Sequence, residues 1–445
     1  MTLFVAIVGV ASVAPAQVNE TVLYSFQGGS DGEGPVGGIV FDKAGDLYGV
    51  TSHTDTCLST FECGSVYELS PPQQPSEPWT ETTLYVFQGH ENGDGGAPDG
   101  GLIQDAGGNL YGTTAYGGVG PCILLGSAVG CGTVFELIRP AKPGGKWIEK
   151  VLYSFRGNQD GQFPLGDLVF DKLGNLYGAT SFGGGRGDTC NPFYPYCGTI
   201  FELMRPRTTA RNSSWTEKVL YSFAGVETRD GANPNGGLIF DAKGTIYGTT
   251  FIGGYDCPHN SGQGCGTAFK LSSPDRQNPF WTEAVLYQFT NVPDGQNPNG
   301  NLIIDRGGNL YGTTVNGGGS TFPSGTAFEL VLQPNGAFAE TILYNFDEGA
   351  DGGLPRAGLV FDSEDNLYGT TTLGGTGRGG TIFRILAKTG ALQPVYQFQV
   401  PPDGFSPESR LTFDAAGNLY GTTLFGGSGQ ACANYGCGTV FMAGP

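Results

Sequence analysis

Apolar residues occur along this chain in short runs separated by glycine, proline, asparagine and aspartate. One stretch shows the whole pattern: Leu238-Ile239-Phe240, then Ile246-Tyr247-Gly248-Thr249, then Thr267-Ala268-Phe269-Lys270-Leu271, then Ala284 to Phe289. Each run is rich in β-branched and aromatic residues and bounded by turn formers, which predicts four strands, A to D. No window sustains apolar spacing at i, i+3, i+4 and i+7, so long amphipathic helices are not expected. Between A and B stands Asp-x-x-Gly-Asn or a close relative, as at 171–175, 305–309 and 414–418. That is a short hairpin turn, with glycine supplying the positive φ and the aspartate or asparagine bonding back to the main chain.

The pattern recurs. Leu/Val-Tyr-x-Phe in run D has its tyrosine at Tyr24, Tyr85, Tyr153, Tyr221, Tyr287, Tyr344 and Tyr396. Tyr-Gly in run B has its tyrosine at Tyr48, Tyr111, Tyr177, Tyr247, Tyr311, Tyr368 and Tyr420. Self-similarity at such a period means stacked supersecondary units. Four antiparallel strands repeated seven times predict an all-β, seven-bladed β-propeller. Runs A and B lack strict polar alternation because neighbouring blades cover both of their faces. A linear solenoid is the competing architecture, but it needs capped ends, and neither end of the repeat array resembles a cap.

The phase of the repeat predicts how the ring closes. The array opens with a lone D strand, residues 21–26, and finishes with A, B and C of the last unit. Pairing Val22–Phe26 beside Thr439–Met442 would supply the missing strand and remove two exposed edges. The expected organisation is a leader at 1–16 and one propeller domain at 17–445. Its blades fall at about 36–88, 100–156, 166–224, 236–290, 300–347, 357–399 and 409–442. Trp79, Trp147, Trp215 and Trp281 open the D strands of the first four blades, and this shared position suits packing at the blade rim.

Composition adds compartment and excludes some partners. Gly is far above average usage at 78 residues, with 28 Pro, as many tight turns require. A formal charge of −19 repels phosphate backbones, so nucleic acid is not expected as a partner. Leu3 to Val13 is apolar and Ala14-Pro15-Ala16 gives a cleavage site, which reads as a secretory signal although no Lys or Arg precedes it. That run is too short to span a bilayer. The expectation is a secreted, extracellular or periplasmic monomer without cofactor or membrane span.

Ten cysteines form five close pairs: Cys57/Cys63, Cys122/Cys131, Cys190/Cys197, Cys257/Cys265 and Cys432/Cys437. In each pair the second member precedes the Gly-Thr or Gly-Ser that opens strand C. Every pair therefore lies in the B–C loop of a different blade, and repeat logic fixes their connectivity as disulfides. Varying spacings and the lack of a recurring His argue against zinc. Closing loops this short contributes roughly 2–3 kcal/mol each in the chain-entropy account.

In a four-strand meander the D–A and B–C loops share one face. That face and the mouth of the central channel are the expected working region. It gathers the disulfides and a repeated Asp-Gly-x-x-Pro headed by Asp31, Asp94, Asp160, Asp230, Asp294, Asp351 and Asp403. These aspartates are candidate ligand contacts; the competing reading is an ordinary Asx-type turn. Calcium needs six to eight oxygens, which one carboxylate per blade does not assemble, so no metal is expected. Just before the Gly-Gly after strand B the blades differ, with Tyr116, Phe182, Ile252, Asn316, Leu373 and Phe425, and His53 in the aligned place of the first blade. Rings there can stack on sugars or plug the gap between blades. Phe193, Tyr194 and Tyr196, between Cys190 and Cys197, are the best candidate exposed aromatic tip. His53, His90 and His259 sit in different loops, and spacing assembles no Ser/His/Asp group. No catalytic residue is singled out.

Gly-Leu-Ile-Phe-Asp, Asn-Leu-Tyr-Gly-Thr-Thr, Gly-Gly and Gly-Thr-Val-Phe-Glu-Leu, as at 166–203 and 300–330, resemble the GloVer-type tandem repeat across residues 20–442. The resemblance implies an exported bacterial protein, in a family whose members often carry C-terminal anchors, and it implies no activity. This chain finishes at Met442-Ala443-Gly444-Pro445, so free secretion is expected. The leading expectation is a non-catalytic propeller that binds protein or carbohydrate through its D–A and B–C face. Two alternatives are a secreted polysaccharide hydrolase or lyase with carboxylates near the channel mouth, and a structural cell-surface or matrix component.

Overall fold

A computed structural model describes residues 19–54, 63–74, 76–185, 197–206, 214–255, 257, 262–276, 278–319, 324–432 and 435–444. The expected leader, Cys57, Cys190, His259 and the Phe193, Tyr194 and Tyr196 tip lie outside them. The chain is all-β, with seven antiparallel sheets arranged as a seven-bladed propeller of four strands each. Blade four is representative, with B at Ile246–Thr250, C at Thr267–Ser272 and D at Thr282–Gln288.

The ring closes through its ends. The first strand, Glu20–Ser25, pairs antiparallel with the last, Thr439–Ala443, placing Thr21 opposite Met442 and Val22 opposite Phe441. Seven equivalent aromatic contacts run around the circle. The phenylalanine ending each D strand meets the C strand of the next blade edge-on or tilted, from Phe26–Tyr67 and Phe87–Phe135 to Phe398–Phe441, at 5.0–5.1 Å between centroids. These phenylalanines are fully buried and knit each sheet to its neighbour. The glycine of Tyr-Gly follows from the same packing. A Cβ on Gly112 would stand 2.7 Å from Phe135 Cζ, so the ring requires a bare backbone beneath it.

Polar groups inside the ring are matched in the same repeated way. In every blade the residue ending strand B shares a hydrogen bond with the one opening strand C, as Thr114 with Thr133 and Thr250 with Thr267, both at 2.8 Å. In the A–B turns one aspartate oxygen caps the backbone: Asp105 Oδ1 accepts from Gly107 N and Asn109 N at 2.8 and 2.9 Å. The tryptophans pack across blade boundaries, with Trp147 of blade two against Tyr48 of blade one and Trp281 of blade four against Tyr177 of blade three.

Cys122–Cys131, Cys257–Cys265 and Cys432–Cys437 are disulfides within single blades, and Cys63 and Cys197 are likewise disulfide-bonded. None of the described residues spans a membrane as a long apolar helix.

Strand A departs from the sequence reading. It is broken in two, and its outer half is the Asp-Gly-x-x-Pro segment read above as loop. In blade five Gly295–Pro298 pairs with the extension of B, then Ile303–Ile304 resumes pairing lower down. In blade one the same break is a register shift between Val36 and Val40. The residues between the two halves leave the ladder and turn to the propeller axis.

Candidate functional site

The broken inner strands create the axial site. Each blade sends a Pro-x-Gly segment or its relative to the axis, and backbone meets backbone there. A Cβ on Gly100 would stand 2.6 Å from Gly166 O, and one on Gly166 would stand 2.7 Å from Gly236 O. Only glycine, with Ala357 and Ser409 in the last two blades, lets seven strands converge so closely. Around these residues lies a cavity of about 310 Å³ with walls from all seven blades.

The residues flanking those glycines break the repeat. Preceding them are Val36, Asp99, Leu165, Asn235, Asn299, Arg356 and Glu408; following them, Asp167, Asn301 and Arg410 stand where other blades keep glycine. The following set forms a bonded floor. Asp167 accepts from Gly101 N and Asn301 Nδ2, both at 2.6 Å, and lies 3.7 Å from Arg410 Nε. Asn301 Oδ1 accepts from Gly237 N at 2.6 Å. Above the floor Arg356 Nε is 3.5 Å from Glu408 Oε1. Asp99 is exposed on the cavity wall, with the axial segments of the other blades around it. Its carboxyl is pushed up to about 6, first by desolvation and then by the charge of Glu408. Desolvation likewise raises Glu408, against the pull of Arg356. The repeat points to this channel mouth without singling out any of these residues, because they stand where it breaks. The signal was the break in the Pro-x-Gly-x pattern.

Six of the seven Asp-Gly-x-x-Pro aspartates take their side-chain hydrogen bonds from their own loop and the strand before it. Tyr85 OH and Gln88 N both donate to Asp94 Oδ2 at 2.8 Å, and Gly95 N donates to Oδ1 at 2.6 Å. Tyr24, Tyr153, Tyr221, Tyr287 and Tyr396 clasp Asp31, Asp160, Asp230, Asp294 and Asp403 at 2.8–3.1 Å. Asp351 stands apart: its Oδ2 is buried without a partner, and burial and Asp347 beside it push it up to about 6. The strand D tyrosine of one blade thus fixes the loop that starts the next.

The variable position after strand B divides by blade. Tyr116 and Phe182 both pack edge-on against Phe163, filling the gap between blades two and three. Ile252 is buried, Asn316 Nδ2 donates to Asn297 Oδ1 at 3.1 Å, and His53 Nδ1 lies 2.7 Å from Ser52 Oγ. Blade seven differs. Phe425, 37% exposed, stacks on Phe405 at 5.2 Å and 28°, and Tyr435, 63% exposed, leans on both at 6.1 and 6.3 Å. Tyr435 is held inside the Cys432–Cys437 loop. The sequence singles out neither Phe405 nor Tyr435: Phe405 stands where other blades carry no ring, and the Cys190–Cys197 loop holds more rings than the loop of Tyr435.

Among solved structures the chain is similar to a fungal alcohol oxidase of the AA5 family in complex with copper, at 14% identity and TM-score 0.53, covering 96% of this chain and 77% of that one. It is similar to a candidate 6-phosphogluconolactonase from Bacteroides fragilis NCTC 9343, at 16% identity and TM-score 0.48 over 83% and 85% of the two chains. It is also similar to a protein of unknown function from Dyadobacter fermentans DSM 18053, at 10% identity and TM-score 0.44 over 96% and 98%. These likenesses concern fold alone. A search of curated proteins gives no match. The Gloeobacter/Verrucomicrobia repeat matches residues 9–257, 124–347 and 257–445, and the chain belongs to that repeat family.

Proposed function

We propose that this chain is an exported, non-catalytic binding propeller that holds carbohydrate against its D–A and B–C face. The observation that carries this reading is the open ring cluster of Phe405, Phe425 and Tyr435 on blade seven. Scattered exposed apolar side chains are ordinary, but three mutually packed rings, two from the paired Gly404–Phe405 and Phe425–Gly426 strands and one from the Cys432–Cys437 loop, form a platform. Aromatic rings are amphipathic contact surfaces that order at low entropic cost, and a disulfide-closed loop keeps the third ring in place. The disulfides support work outside the reducing cytoplasm.

A second reading, a polysaccharide hydrolase, is favoured by one observation. Asp99 and Glu408 face the same axial cavity, and desolvation raises both from their ordinary values, the direction a general acid requires. A glycan array with purified protein, run beside a reducing-end assay on the same polysaccharides, separates the two. Binding without new reducing ends is expected; new reducing ends would overturn the non-catalytic reading.

A further inference from the structure

We propose that the axial cavity is a second binding site, one for a small hydroxylated ammonium compound such as an amino sugar with a free amine, and that Asp99 is its counter-ion. This site is separate from the platform of blade seven.

Three carboxylates, Asp99, Asp167 and Glu408, and two guanidinium groups, Arg356 and Arg410, line the cavity. Arg410 lies against Asp167 and Arg356 against Glu408. Asp99 is left over: among the described residues it has neither an ion pair nor a hydrogen bond. Asp99 therefore offers the cavity wall an accessible carboxylate that no cation of this chain occupies, the contact an ammonium group would take.

The fold does not require the acid. In the other six blades the same position holds Val36, Leu165, Asn235, Asn299, Arg356 or Glu408. Groups that serve blade packing recur in blade after blade, as the Thr–Thr pairs and Tyr–Asp clasps do. The size of the cavity, about 310 Å³, equals about ten waters at roughly 30 Å³ each, which fits a single sugar ring with its hydration. Asn235 and Asn299 line the same walls with amides that both donate and accept, as hydroxyl groups require.

The test is calorimetric titration of the full chain with glucosamine, glucose and N-acetylglucosamine at about pH 7. Glucosamine is expected to bind about tenfold or more tighter than the other two, the weight of one charge-assisted contact. Asp99→Asn should erase that preference, whereas Phe425→Ala should leave it intact. The preference should also fade below about pH 6, where Asp99 gains its proton beside Glu408, Arg356, Arg410 and Asp167. Equal binding of the three sugars, no binding of any, or a preference that survives Asp99→Asn overturns the proposal. So does a calcium titration showing tighter binding than glucosamine that Asp99→Asn abolishes, because the site would then belong to a metal ion. Loss of neutral glycan binding in Phe425→Ala bears on the platform alone, so the two readings fail separately.

Discussion

Val22 lies directly opposite Phe441, and through that pairing the first strand completes the sheet made by the last blade. One residue pair at the seam thus joins positions more than four hundred residues apart in sequence. The next aromatic along, Phe26, carries the contact onward to Tyr67 of blade one. Phe26→Ala should therefore cost as much as truncating any other member of the ring, about 3–5 kcal/mol for a buried phenylalanine. Denaturant unfolding checks this. A cost below about 1 kcal/mol would mean that the seam is loosely held.

Tyr67 is the exception in that ring. Six blades place phenylalanine at the inner contact of strand C, and blade one places a tyrosine whose buried hydroxyl has no hydrogen-bond partner. Leaving such a group unmatched costs about 1–3 kcal/mol. Tyr67→Phe should raise the melting temperature, measured by calorimetry, with no change in the folded spectrum.

A row of strand D glutamates predicts the pH dependence of stability. Desolvation first, and then the charge of the neighbouring loop aspartate, raises Glu149, Glu217 and Glu340 to about 7 and Glu20 and Glu283 to about 8, from the ordinary 4.5. One oxygen of each is buried without a partner. Their protons are held more tightly folded than unfolded. The stability they contribute is complete below about 4.5 and is lost as pH rises through 7 to 8. Asp414 acts oppositely, since hydrogen bonds from Asn418 and Ala416 outweigh its burial and lower it, so its share is lost in acid. Thermal melts should therefore peak on the acidic side of neutral and decline toward pH 8. Glu149→Gln should flatten that decline, as Leu392 opposite Ile385 in blade six shows the position accepts a neutral side chain. Melts that improve steadily from pH 5 to about 8 would contradict this.

The fold was legible because its instructions repeat. The Tyr-Gly and Leu/Val-Tyr-x-Phe markers recur at every Phe-over-Gly contact and every Tyr–Asp clasp, so the offset of one strand sufficed to predict closure at Val22. The candidate site was less legible for the same reason. Asp99, Arg356, Glu408, Phe405 and Tyr435 carry no repeat and no motif, and only the ring brings seven distant Pro-x-Gly segments to one axis. Where a scaffold repeats, its particular chemistry lies at the positions that do not.

The most direct test of the binding reading compares the native chain with Phe425→Ala and Tyr435→Ala, titrated with the tightest glycan from the array. Each substitution should weaken binding on the order of tenfold at unchanged melting temperature, as loss of one stacking ring implies, while Tyr116→Ala should spare affinity. Undiminished binding in both platform variants, or no glycan bound by the native chain, would contradict it.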